Sequence, residues 1–253
     1  MFEIEFLGTG TSTGVPQIGC DCEVCKSADK RDNRLRTSAI VRTKGKNILI
    51  DCGPDFRTQI LRSGSPEIDC LLLTHIHYDH VGGIDDLRPY TKNNALPVYA
   101  RADVINDLKA RLPYCFQAHP YPGVPKFKFE VVEDNHDFSF CGIDITPISV
   151  MHYKLPILGY RIGTIAYITD AKHIAPDQIE KLHGLEVLVV NSLQFEQHLS
   201  HMTLEESLEV INQVEPNMAY LTHMGHHMGL HAQTERILPP NVKLAYDGLV
   251  VRV

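Results

Sequence analysis

A chain of 253 residues can bury a sizeable core, as one large domain or two small ones. Its 24 basic and 31 acidic side chains leave a net charge of −7, which argues against a broad nucleic-acid footprint. No apolar run approaches the roughly 20 residues of a membrane span, and Met1-Phe2-Glu3-Ile4-Glu5 does not read as a signal peptide, so a cytoplasmic location is expected.

In chain order, Phe2, Ile4 and Phe6 alternate with Glu3 and Glu5, which predicts a half-buried strand ending at Gly8-Thr9-Gly10-Thr11-Ser12. A turn-rich segment over about 14–34 follows and contains Cys20, Cys22 and Cys25. Strands are predicted over 38–42 and 47–50, joined by Lys44-Gly45-Lys46 as a hairpin. Asp51-Cys52-Gly53-Pro54 then opens a helix to about Arg62, with Pro54 in its first turn. A buried strand over 71–74 leads straight into Thr74-His75-Ile76-His77-Tyr78-Asp79-His80.

Beyond it come a strand over 97–100, a helix over 102–111 and a Pro-, Tyr- and His-rich surface loop over 114–126, the kind of long loop that serves as a lid or binding loop. The second half repeats the plan. Strands are predicted over 127–132, 138–140, 143–150, 160–162 and 165–169, then a helix over 176–182 and a strand over 187–190. A helix over 203–214, a strand over 219–221 and short strands over 243–246 and 249–253 close the chain. Strands in both halves with helices set between them predict an α/β fold of two packed sheets with helices on the outer faces. No linker rich in Gly, Ser or Pro marks a boundary, so residues 1–253 read as a single domain.

The seven histidine-motif residues carry the most information. His75 and His77 are two apart and face the same way on an extended segment, while Asp79 and His80 follow where the chain turns toward a neighbouring point. Imidazole and carboxylate suit zinc, manganese or iron. Three other polar residues end apolar runs in the same manner: His152 after 148–151, Asp170 after 165–169 and His223 after 219–222. The cysteines point to metal as well. Seven is an odd count with three packed together, which suits metal binding better than disulfides, and Cys52, Cys70, Cys115 and Cys141 stand alone beside apolar neighbours.

The order His75-x-His77-x-Asp79-His80, His152, Asp170, His223 resembles the ligand order of the metallo-β-lactamase superfamily. That resemblance implies a four-layer αββα sandwich with two divalent metal ions, zinc or manganese, at one sheet edge. It implies that His75, His77 and His152 hold one ion, that Asp79, His80 and His223 hold the other, and that Asp170 bridges them. Gly8-Thr9-Gly10-Thr11-Ser12, Gly14-Val15-Pro16 and Gly19-Cys20-Asp21-Cys22-Glu23-Val24-Cys25 are similar to the phosphodiesterase branch that contains PhnP. In that branch three such cysteines and a late histidine hold a structural zinc. The matching histidine here is His226, with His227 and His231 as alternatives on spacing alone. Three thiolates and an imidazole make a closed tetrahedral site.

The activity so implied is a metal-dependent phosphodiesterase acting on small cyclic or nucleotide-like diesters through a hydroxide bridging the two metals. His201 is the candidate proton donor to the leaving group, with His198 as its competitor and Asp79 as a second proton carrier. His201 precedes a helix whose N-cap is read as Thr203, with Glu206 as capping-box partner. Ser12 and Thr13 are candidates to meet phosphate, and Arg34 and Arg36 to reach a terminal one, although such arginines are ordinarily surface residues. Asp55-Phe56-Arg57 is assigned to a helix that packs on the sheet, away from the site.

Rival readings keep the fold and change the substrate. A transfer-RNA 3′-end endonuclease carries a basic arm that has no counterpart here, and a thioesterase or lactonase does not explain the cysteines. A non-catalytic zinc-binding scaffold is the alternative of another class, set against seven filled ligand positions. The expected partner is a small-molecule phosphodiester, with no membrane and no extended nucleic acid; homodimer formation is suggested by the resemblance alone.

Overall fold

The first strand turns Ile4 and Phe6 into the core and Glu3 and Glu5 to the opposite face, where both pair with Arg42. The computed structural model describes residues 1–253. Its strands are β1 (Phe2–Gly8), β2 (Ser38–Thr43), β3 (Lys46–Ile50), β4 (Cys70–Leu72), β5 (Leu96–Ala100), β6 (Phe127–Val131), β7 (Phe138–Phe140), β8 (Ile143–His152), β9 (Leu155–Ile162), β10 (Ile165–Ile168), β11 (His173–Ile174), β12 (Val187–Asn191), β13 (Met218–Thr222), β14 (Val242–Leu244) and β15 (Val250–Arg252). The helices are α1 (Phe56–Arg62), α2 (Tyr78–Val81), α3 (Ala102–Arg111), α4 (Pro176–Glu180), α5 (Leu204–Val214) and α6 (His231–Thr234).

One sheet runs β15-β1-β2-β3-β4-β5-β6 and the other β11-β8-β9-β10-β12-β13-β14, with β7 also paired to β8. Between them, Phe6, Val41, Ile50 and Leu72 pack against Leu158, Tyr160, Tyr167 and Val189. Residues of the opposite parity face outward. Ile40, Leu49 and Leu71 lie under Phe56 and Ile60 of α1 and Val104 and Leu108 of α3. Ile157, Ile168, Leu188 and Leu221 lie under Ile179 of α4 and Leu204 and Ile211 of α5. A period of two therefore feeds two cores at once, which is why these strands read as continuous apolar runs. The result is the four-layer αββα sandwich, each fully buried aliphatic side chain contributing about 1.5–3 kcal/mol of transfer free energy.

Polar ties cross between the sheets beneath the histidine motif. Tyr160 Oη donates to Leu73 O at 2.6 Å, Leu158 N to Thr74 O at 3.1 Å, and the Thr37 and Thr222 hydroxyls meet at 2.9 Å. β3, β4 and β5 are parallel, as are β10, β12 and β13, so their carboxyl ends emerge together within each sheet.

Several elements differ from the sequence expectation, three of them for clear reasons. α1 begins at Phe56, because Asp51 to Pro54 is spent turning out of β3. β9 begins at Leu155 and β8 runs through His152, since the two pair continuously from Ile145↔Ile162 to His152↔Leu155. Ile84–Thr91, for which the pattern predicts no element, forms a 3-10 segment. No helix is long and apolar enough to cross a membrane.

Candidate metal centre

Five strand ends meet at one edge of the sandwich. His75 lies three residues past the end of β4, His152 is the last residue of β8, and Asp170 and His223 follow β10 and β13. Asp170 and His223 have left-handed backbones, φ 57° and 56°, as does Asp51 (φ 59°) after β3. Such angles are uncommon for residues other than glycine and mark strain held by the surroundings. Gly53 lets the motif close on itself: a Cβ there would lie 2.0 Å from Asp79 O.

The structure brings the predicted residues into two adjoining groups, His75 with His77 and His152, and Asp79 with His80, Asp170 and His223. Asp170 stands between them, Oδ2 3.9 Å from His75 Nε2 and 3.2 Å from His223 Nε2, and Oδ1 3.3 Å from His80 Nε2. On several rings the nitrogen facing away from the cluster is occupied. His75 Nδ1 meets Thr74 Oγ1 at 2.9 Å, His80 Nδ1 meets Asp51 Oδ2 at 2.7 Å, and His152 Nδ1 meets Ser200 O at 2.9 Å. With those nitrogens as donors, a neutral ring turns its Nε2 lone pair toward the cluster, and His75 Nε2 faces His77 Nδ1 at 3.1 Å. Inside, His80 Nε2 and both ring nitrogens of His223 are buried without a hydrogen-bond partner. Unpaired buried lone pairs of this kind are costly, and converging ones fit divalent cations.

The electrostatics agree with that fit. Burial opposes charge on His80, yet Asp170, Asp51 and Asp79 hold its pKa well above the usual histidine range. Burial likewise opposes charge on Asp170, but His223 and His80 hold it well below the usual carboxylate range. The pocket favours anionic carboxylates and demands positive charge among them.

Asp51 is the functional residue that the sequence pattern missed. Fully buried, it accepts from Thr74 N (2.9 Å), Thr74 Oγ1 (2.8 Å) and His80 Nδ1, and so fixes two rings of the cluster. The signal was available, for Asp51 ends the apolar run of β3 just as Asp170 ends that of β10.

His201 lies inside the site, and His198 lies beside it on the solvent side, the two ring centroids 5.2 Å apart. The His201 ring is 4.7 Å from that of His152 and 4.8 Å from that of His223, and its Nδ1 is 3.8 Å from Asp170 Oδ2. Burial and then His223 lower its pKa to about 3. His198 is partly exposed and its Nδ1 accepts from Ser200 N at 3.3 Å. Met202 N donates to Ala171 O, and Thr203 and Glu206 form the reciprocal capping box that starts α5.

The thiols form a second centre. Cys20 Sγ and Cys22 Sγ lie 3.3 and 3.4 Å from His226 Nδ1, and Cys25 completes the group. The Cys25 N–H and then His226 lower Cys22 to about 6, while burial raises Cys25 to about 11. His227 is exposed, and His231 is buried against Arg34 and Glu235, so neither joins the thiols. The loop carrying the cysteines is tied to the segment carrying His223 through Met224 N to Thr9 O and Thr11 N to Met224 O.

The phosphate expectations fare differently. Arg34 is buried, not poised for substrate: it donates to Thr9 Oγ1, Ala245 O and the ring of His231. Arg36 pairs with Asp55 at 3.2 Å and donates to Ser12 O. Gly10 is explained by close packing, since a Cβ there would sit 2.7 Å from Arg34 O. Ser12 and Thr13 are exposed. A groove of about 680 Å³ along α5, rimmed by Glu205, Glu209 and Glu215, lies apart from the histidine cluster.

A sequence model described as the Beta-lactamase superfamily domain matches residues 46–224. An octanoyltransferase of Porphyromonas gingivalis is 46% identical over 245 residues, covering 96% of this chain and 50% of that protein, so the chain spans about half the length of this curated relative. A ribonuclease Z of Methanopyrus kandleri is 25% identical over 271 residues, covering 87% of this chain and 92% of its own. Among solved structures, a diphosphatase from the PhnP family superposes with a TM-score of 0.91 at 38% identity, covering 99% of this chain and 96% of that one.

Proposed function

The chain belongs to the metallo-β-lactamase superfamily and to the PhnP family within it, and we propose that this metal-dependent hydrolase cleaves small cyclic or nucleotide-like phosphodiesters. One observation carries the reading: five imidazoles and two carboxylates converge with bare donor atoms, and His201 faces the same space. In this reading His75, His77 and His152 would hold one divalent ion, Asp79, His80 and His223 the other, with Asp170 between them. Zinc and manganese both suit such nitrogen and oxygen donors. When bound, the ions supply Lewis acidity that polarises a phosphoryl oxygen and acidifies water at neutral pH.

The chain's own part is orientation and proton supply. Asp51, Thr74 and Ser200 O set the rings of His75, His80 and His152, so the donor atoms need no rearrangement. His201 is placed to give a proton to the leaving oxygen. An anionic phosphate beside the ring favours its charged form, so the substrate supplies the condition for donation. Asp79 is the second candidate carrier, and Cys20, Cys22, Cys25 and His226 would hold a structural zinc. The net charge of −7 sets a small substrate ahead of RNA. The octanoyltransferase is about twice as long as this chain, and the activity it is named for is that of the longer protein.

Metal content by mass spectrometry, on wild type and Cys22→Ser, tests this together with assays on a bis-aryl phosphodiester and a 2′,3′-cyclic nucleotide. About three ions in wild type, one fewer in the variant, and diester turnover are expected. Equal metal content in both proteins would remove the structural zinc. Bound metal without diester cleavage would move the substrate to thioesters or lactones.

A further inference from the structure

Resting on the phosphodiesterase reading, we propose that Tyr153 determines specificity, its ring stacking on a planar aromatic group, a nucleobase or aryl ring, carried by the diester. Tyr153 is the first of two loop residues between the paired His152 and Leu155, and its φ is 54°. That position in a two-residue hairpin belongs to glycine, asparagine or aspartate, and a bulky side chain there is an outlier. Burial does not offset the strain, because the residue is 47% exposed. Strained residues that persist without a packing reason cluster at ligand sites.

The place of the ring in the fold gives that strain a use. Tyr153 directly follows His152, whose ring lies 5.1 Å from His77 and 4.7 Å from His201. The hydrogen bond from His152 Nδ1 to Ser200 O joins this hairpin tip to the 197–200 segment. Leu199, 67% exposed, sits one residue from the other end of that bond. Two exposed side chains, Tyr153 and Leu199, thus adjoin in sequence the two ends of the bond that ties His152 into the cluster. Lys154 Nζ sits over one face of the Tyr153 ring, 5.2 Å from its centroid, so the stack would use the opposite face, with positive charge nearby for an anionic ester. Tyr78, also exposed, is a useful contrast. Its ring rests on its own helix, 2.8 Å from where a Gly82 Cβ would lie, so local packing accounts for it.

The test compares wild type, Tyr153→Phe and Tyr153→Asn on a nucleoside 2′,3′-cyclic phosphate and on the ribose cyclic phosphate lacking the base. Tyr153→Asn is expected to raise KM for the base-bearing ester by roughly tenfold, the size of one lost base–aromatic stack, with kcat nearly unchanged. KM for the baseless ester should not move, Tyr153→Phe should behave as wild type, and the Asn variant should melt higher because asparagine tolerates the left-handed backbone. Equal KM changes on both esters, or none, would overturn the assignment. Titration calorimetry of AMP against ribose 5-phosphate reads the stack without turnover. If wild type cleaves neither ester, the phosphodiesterase reading fails, while an AMP preference lost in Tyr153→Asn still upholds the stack and its absence removes it.

Discussion

Asp51 Oδ2 accepts the Nδ1–H of His80 at 2.7 Å, and both side chains are completely inaccessible to solvent. The same carboxylate accepts from the backbone and hydroxyl of Thr74, whose oxygen in turn meets His75 Nδ1. One buried acid therefore sets the tautomer of two rings that point at different parts of the cluster. Asp51→Asn keeps the shape but offers one carbonyl oxygen where three donors converge. Its amide hydrogens must then face a donor. We expect the fold to survive and affinity for divalent metal to fall about 10- to 100-fold, read by competitive chelation. Unchanged affinity would show that the Asp51 bond does not orient the ligands.

His201→Ala separates a proton donor from a ligand. If His201 protonates the leaving oxygen, its removal should slow a diester with an alkoxide leaving group by about 10²–10⁴-fold. A p-nitrophenolate ester, whose leaving group needs no proton, should slow far less. Metal content should stay at the wild-type value. Equal losses on both esters together with lost metal would make His201 a ligand instead.

The ligands were legible because each ends an apolar strand, and burial on both faces makes those strands easy to find. What sequence could not supply was which strand-end residues turn inward. Asp51 sits after β3 as Asp170 sits after β10, yet the Cys52-Gly53-Pro54 that follows it reads equally well as a helix start. Left-handed φ decides the matter, and φ is fixed by tertiary packing. The sequence pattern predicts a strand only over 160–162, and Pro156 and Gly159 argue against extending it. Continuous pairing with β8 overrides them, and Gly159 is required there, since a Cβ would meet Tyr167 O at 2.9 Å. Arg34 misled for a related reason. Its burial depends on Ala245 O and His231, 211 and 197 residues away, so no local pattern announces it.

Arg34→Ala distinguishes bracing from substrate binding. Burial lowers the pKa of this guanidinium to about 10, and it remains charged with Thr9, Ala245 O and His231 as its partners. Removing it strands those groups, and a loss of about 3 kcal/mol in urea unfolding is expected. KM of the remaining activity should stay near wild type. A large rise in KM without loss of stability would return Arg34 to the phosphate.

Glu206 offers a pH dependence that can be read apart from the metal centres. It accepts from Thr203 N at 2.8 Å in the capping box of α5 and from Lys172 Nζ at 2.7 and 2.8 Å. Burial works against its charge, but the bonds from Lys172 and Thr203 prevail and hold the pKa below the ordinary value of 4.5. A depressed folded pKa contributes stability that is complete above the unfolded value and lost as pH falls through the folded one. Glu206→Gln keeps an acceptor for Thr203 and gives up the ion pair. The variant should therefore be less stable than wild type near neutrality by about 1 kcal/mol or less, the range of an ion pair that solvent still reaches. That gap should narrow steadily from about pH 4.5 downward. Because the histidine and cysteine centres titrate alike in both proteins, they cancel in the difference, and paired urea unfolding curves isolate Glu206. A gap that stayed constant below pH 4.5 would assign the effect to the neutral capping geometry and not to the charge.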